Sequence, residues 1–119
     1  MKSEERDVRL FLDDIVQSVS LIQEYLQGVT EEEFHRSQAA QDAVVRRIEI
    51  IGEATKHIPN ELRNKYPEVT WRMMAGMIDI IAHEYFAINY NRVWDTAINF
   101  IPPLKEQVET IIKELSTSE

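Results

Sequence analysis

Cysteine is missing altogether from the 119 residues. Its absence rules out disulfide frameworks, thiolate zinc sites, iron-sulfur clusters and cysteine nucleophiles together, and it fits a reducing compartment. Glycine and proline are scarce, at 3 and 4 residues. Turn signals so widely spaced leave long stretches that suit helices better than a many-stranded sheet. No run approaches the roughly 18 apolar residues of a membrane span, and the opening Met-Lys-Ser-Glu-Glu-Arg-Asp holds no apolar signal core. The expectation is a cytoplasmic protein with no membrane association. Positive charge is also short: 13 Lys and Arg against 21 Asp and Glu give a formal net charge of -8. The field of the whole molecule therefore repels nucleic acid, and any RNA contact needs a local basic patch or a basic partner.

What is present points to a folded helical chain. Hydrophobic residues make up 44% and charged residues 29%, too apolar for disorder and large enough in sum for one core, so residues 1–119 read as a single domain. Val8, Leu12, Ile15, Val19, Ile22 and Leu26 alternate spacings of four and three along a first helix that Gly28 stops. Thr30 followed by Glu33 has the form of a capping box, opening a short connector helix that carries Phe34 inward. A second long helix runs from about Ser37 to Ile58, with Val44, Ile48, Ile51, Thr55 and Ile58 on its apolar side, Gly52 admitting a close neighbour and Pro59 beyond its end. Residues 59 to 70 read as a helical turn and a loop.

In a third long helix, Trp71, Met74, Ile78, Ile81 and Tyr85 form one stripe, and Arg72, Gly76, Asp79 and His83 a neighbouring one. Met73, Met74 and Met77 read as core filler. Asn89 or Asn91 caps a last helix with Trp94, Ala97, Ile101, Leu104, Val108, Ile111 and Leu115 at heptad-like spacing, kinked at Pro102-Pro103. The sum is an all-α antiparallel bundle of four to five helices. Its first and last stripes are also candidates to pair across a homodimer.

Few residues carry chemistry. Asp79 and His83, four apart, share a helix face on which the carboxylate can orient the imidazole; the same spacing also describes an ordinary surface ion pair. His35 and His57 stand near segment ends without a second ligand at helix spacing, so no metal site is expected. No glycine-rich phosphate loop or other cofactor cradle is present. Asp13-Asp14 and Glu31-Glu32-Glu33 read as solvated or helix-start charges. Arg46, Arg47 and Lys56 make a modest basic patch, offset by Glu49 and Glu53 at pairing distance along the helix.

One resemblance spans nearly the whole chain. Asp42-Ala43-Val44-Val45-Arg46-Arg47-Ile48-Glu49 leading to Ile51-Gly52-Glu53-Ala54, then Pro67, Trp71-Arg72, His83-Glu84-Tyr85-Phe86 and Val93-Trp94, resembles the HepT-like branch of the HEPN family. The resemblance implies a dimeric four- or five-helix bundle acting as a metal-independent RNase toxin. It also implies a minimal nucleotidyltransferase antitoxin as partner, which neutralises the toxin by AMP transfer. His83 then stands at the catalytic histidine, with Asp79 and Arg72 as further catalytic candidates. Tyr85 stands at the modified tyrosine, and Arg46 and Arg47 are candidate RNA contacts. The family motif is an arginine, four to six residues, then His-x-Tyr. His83 and Tyr85 match it, whereas Ile78 stands where the arginine belongs, which opens an alternative: a catalytically degenerate dimer that serves as binding or regulatory partner of a nucleotidyltransferase.

Overall fold

The computed structural model describes residues 3–76 and 88–117, and all regular structure among them is helical. Helix α1 is Ser3–Leu26, α2 Glu31–Arg36, α3 Gln38–Lys56 and α4 Asn60–Lys65. Residues 71–76 form α5. Then come α6, Tyr90–Asp95, a π turn over Thr96–Phe100, and α7, Pro102–Thr117.

The four-and-three spacing of α1 becomes its buried face: Leu12, Ile15, Val19 and Ile22 are fully buried and Leu26 nearly so. Helix α1 lies against α3 most extensively and then against α7. Those helices contribute Val44, Ile48 and Ile51 from one side and Leu104, Val108 and Ile111 from the other. Burying each such side chain is worth about 1.5–3 kcal/mol. The apolar stripes of the first and last helices are therefore spent on each other within one chain, and the expectation that they pair across a dimer is corrected.

Two side-chain contacts fix the directions. Phe11 near the start of α1 stacks on His57 at the end of α3, ring centroids 4.4 Å apart, so α1 and α3 are antiparallel. Tyr66, just beyond α4, bonds Glu114 near the end of α7, which places the C-terminal part of α7 at that same end of the bundle. At the opposite end Phe34 meets Trp94 and Tyr90 at centroid distances of 5.4 and 6.5 Å.

The capping box forms as the sequence predicts. Glu33 N–H donates to Thr30 Oγ1 (3.1 Å) and Thr30 N–H to Glu33 Oε1 (3.0 Å). These bonds to Thr30 hold the Glu33 carboxyl below the usual carboxylate range. Gly28 ends the preceding segment with φ +73, a left-handed conformation that glycine adopts without steric cost. Ser37 caps α3, which ends at Lys56, two residues before Ile58, and runs unbroken through the buried Gly52. Asn89, not Asn91, caps α6, its side chain accepting from Arg92 N–H.

The last helix is interrupted one turn earlier than its prolines suggest. Pro102 and Pro103 lack N–H groups and cannot bond back to Ile98 and Asn99. Instead Ile101 N–H reaches Thr96 O at 2.9 Å, closing the wider turn, and the prolines occupy the first turn of α7, where missing donors cost nothing.

Ser18 is fully buried, and its hydroxyl has no hydrogen-bond partner among the described residues. Ser18→Ala is expected to leave stability unchanged or raise it by up to about 1 kcal/mol, because it removes an unsatisfied polar group. Thr30→Ala is expected to cost about 1 kcal/mol through the lost cap. Urea unfolding midpoints of the two variants measure both effects.

Candidate functional site

The chain reaches α5 through a connector held by polar contacts. Helix α4 fully buries none of its six residues, and Leu62 packs half-buried against the core. Arg63 adds a polar anchor, its guanidinium donating to the carbonyls of Thr55 (2.6 Å) and Ile58 (2.9 Å) at the end of α3. The Thr55 carbonyl also accepts from Ile58 N–H (3.0 Å), and a cation at this end of α3 meets the negative end of the helix dipole. Beyond α4 the Tyr66 carbonyl accepts two bonds, from Val69 N–H (3.1 Å) and from the Trp71 indole N–H (3.0 Å). Val69 and Trp71 are both buried. The Tyr66 hydroxyl donates to the Glu114 carboxylate.

The first turn of α5 splits into two faces. Trp71 and Met74 enter the core, as their stripe predicts. Arg72 is exposed, and Met73 is 58% exposed, so Met73 is not core filler. The offset explains this: Met73 sits one residue before Met74, about 100° around the helix, which turns it away from the face that Trp71 and Met74 share. Gly76 lies on the outer side with Arg72 and Met73, and a Cβ built there would meet no atom within 4 Å. Arg72, Met73 and Gly76 thus share an open surface. Asp79, His83 and Tyr85, together with Met77, Ile78 and Ile81, lie outside the described residues.

On α3, Arg46 is exposed and Arg47 half-buried. Neither is held in an ion pair among the described residues; the ion pairs seen there are His35–Glu31 and Arg36–Glu32, each at 3.4 Å. The pairing of Arg46 and Arg47 with neighbouring acids, expected from spacing, is not found among the described residues. Arg46 lies about 15 Å along α3 from its C-terminal end, at 1.5 Å per residue, the end where α5 begins. His35 and His57 occupy the helix-end positions expected of them, one beside Glu31 and one stacked on Phe11. No group of three or more potential metal ligands occurs among the described residues.

Residues that the sequence reading passed over are the ones that hold α5. Tyr66 and Glu114 are 48 positions apart, and no local periodicity links them. The only local signal was Arg63, a cation shortly after the end of a helix.

A family model described as "Ribonuclease HepT-like" matches residues 15–111. A Methanocaldococcus jannaschii protein named as a gamma-glutamylcyclotransferase and putative RNase is 44% identical over 110 residues, covering 92% of this chain and 50% of that protein. The chain therefore spans half the length of that relative. A putative RNase of the same organism is 42% identical over 110 residues, with 92% and 91% of the two chains covered. A probable ribonuclease HepT of Thermococcus cleftensis is 39% identical over 113 residues, covering 95% of this chain and 100% of that one. No solved structure matches.

The bond to Glu114 raises the Tyr66 hydroxyl from 10.0 to about 12, with burial and the charges of Glu114 and Glu68 acting in the same direction. Because the folded value is the higher one, the bond's contribution to stability is complete below pH 10 and lost as pH rises through about 12. Phenolate absorbance, taken as the difference between the wild type and Tyr66→Phe, should show this late titration, and Glu114→Ala should bring it back toward 10.

Proposed function

The chain belongs to the HepT-like ribonuclease family, and from that premise we propose that it cleaves RNA without a metal ion as the toxin of a toxin-antitoxin pair. The observation that carries the reading is the match over residues 15–111, joined to an exposed Arg72 on the open face of α5. In the proposed reaction the RNA 2′-oxygen loses its proton and bonds to phosphorus. The bond from phosphorus to the 5′-oxygen breaks, and that oxygen takes up a proton. His83 moves these protons, Asp79 orients its ring, and a guanidinium offsets the charge gathering on the phosphoryl oxygens.

Arg72 stands eleven positions before His83; if the helix expected from the sequence joins them, that is about 16 Å, too far to serve the same phosphate within one chain. A homodimer solves this if the partner subunit supplies the cation. Two features favour the α5 surface as the meeting place. Met73 is largely exposed, and Gly76 costs a helix about 1 kcal/mol relative to alanine while leaving space that nothing among the described residues fills. A glycine there is explained by close approach from outside. Arg46 and Arg47, in no ion pair among the described residues, extend the RNA contact locally against the net charge of -8.

Tyr85 is the proposed acceptor of AMP from a minimal nucleotidyltransferase antitoxin. The added bulk and negative charge beside His83 would exclude an RNA phosphate. No cofactor enters the reaction, and the proposed location is the cytoplasm. One observation favours a second reading: Ile78 stands in place of the motif arginine, as in a dimer that has lost cleavage and kept its transferase partner.

Purified protein is expected to cut RNA in the presence of chelator, and His83→Ala to abolish the cut. Intact RNA with the wild type would leave only the second reading. Incubation with the neighbouring transferase and ATP should add one AMP mass, absent from Tyr85→Phe. Gly76→Leu should fold and weaken the dimer about ten-fold or more, since overpacking a contact costs roughly 1–3 kcal/mol; sedimentation velocity with an unchanged dimer would rule out the α5 surface as the interface.

A further inference from the structure

We propose that Tyr66 is a positioning residue, whose carbonyl and hydroxyl together fix the first turn of α5, and Arg72 with it, to α7. Residues 66–70 cross from α4 to α5, with Val69 buried and the Tyr66 ring half-buried against the core. The Tyr66 carbonyl binds the backbone of Val69 and the indole of Trp71 at once, so its placement sets where α5 starts and how Trp71 enters the core. The other end of the residue sets that placement. Its hydroxyl donates to a carboxylate on α7, and a bond to an ionised acceptor is about twice as strong as one between neutral groups. Arg63 supplies the opposite anchor by clamping α4 to the last carbonyls of α3. The start of α5 is thus suspended between α3 and α7 by side chains, with Arg72 the residue directly after the tethered Trp71.

The consequence for activity rests on the proposed ribonuclease site; the consequence for α5 does not. A displacement of about 1 Å in a group that contacts the reacting phosphate can cost on the order of 100-fold in rate, so a loosened α5 should lower turnover without unfolding the bundle. Amide hydrogen exchange at Met74, Ala75 and Gly76 reads the tether directly. Tyr66→Phe and Glu114→Ala are expected to speed exchange there about ten-fold, the effect of losing one hydrogen bond to a charged group, while α1 and α3 amides keep their rates. Glu114→Gln retains an acceptor and should restore most of the protection. Unchanged exchange at the three amides in Tyr66→Phe, or an equal rise in α1 and α3, would overturn the proposal. RNA cleavage by the same variants should fall in kcat with KM unchanged. If the wild type itself leaves RNA whole, the ribonuclease reading fails while the exchange pattern still decides the role of Tyr66.

Discussion

The fold depends on a single apolar contact surface, the face of α1 presented by Leu12, Ile15, Val19 and Ile22. Helices α3 and α7 both close on it, and each brings a stripe that would otherwise face water. An isolated helix of this length is marginal, and most of its stability comes from burying such a stripe. Everything at the bundle ends is a matter of how shorter pieces attach to this three-helix seam. At one end Phe34 receives Trp94 and Tyr90. At the other, Val69, Trp71 and Met74 enter the core and Arg63 and Tyr66 add directional hydrogen bonds.

That division of labour has a functional side. Apolar packing fixes the seam strongly but says little about the angle and height of α5. Directional bonds to one arginine and one tyrosine supply that information at exposed or half-buried positions, where replacing a side chain leaves the core intact. The open Arg72, Met73 and Gly76 surface is therefore adjustable independently of the bundle that carries it.

Much of this was legible in the sequence wherever the governing interaction is local. The α1 stripe, the reciprocal Thr30 and Glu33 cap and the inward Phe34 follow from spacings of three and four residues, whereas the choice of Asn89 over Asn91 as cap does not. Legibility ended where partners are distant in the chain. The heptad-like stripes of α1 and α7 look alike whether they meet within one chain or between two, and only their mutual burial decides. Met73 looks like Met74 until the phase of α5 is known. The pairing of Tyr66 with Glu114 leaves no periodic trace. The arginines of α3 stand at pairing distance from glutamates, yet surface ion pairs gain so little over hydration that spacing alone does not make them form. The family resemblance carried the rest of the candidate site, with Ile78 as the one departure from its motif.

The π turn between α6 and α7 keeps two halves of a helix in phase. Val93, Ala97 and Ile101 recur every four residues, then Leu104, Val108 and Ile111 at three, four and three, and all six are buried. A narrower turn would advance the following helix by about 100° for each residue of difference, swinging Leu104 and its successors off α1. Loss of a single residue anywhere in Thr96–Phe100 would thus be felt not at the turn but along the full length of α7, so this short stretch should tolerate exchange of side chains far better than any change in length.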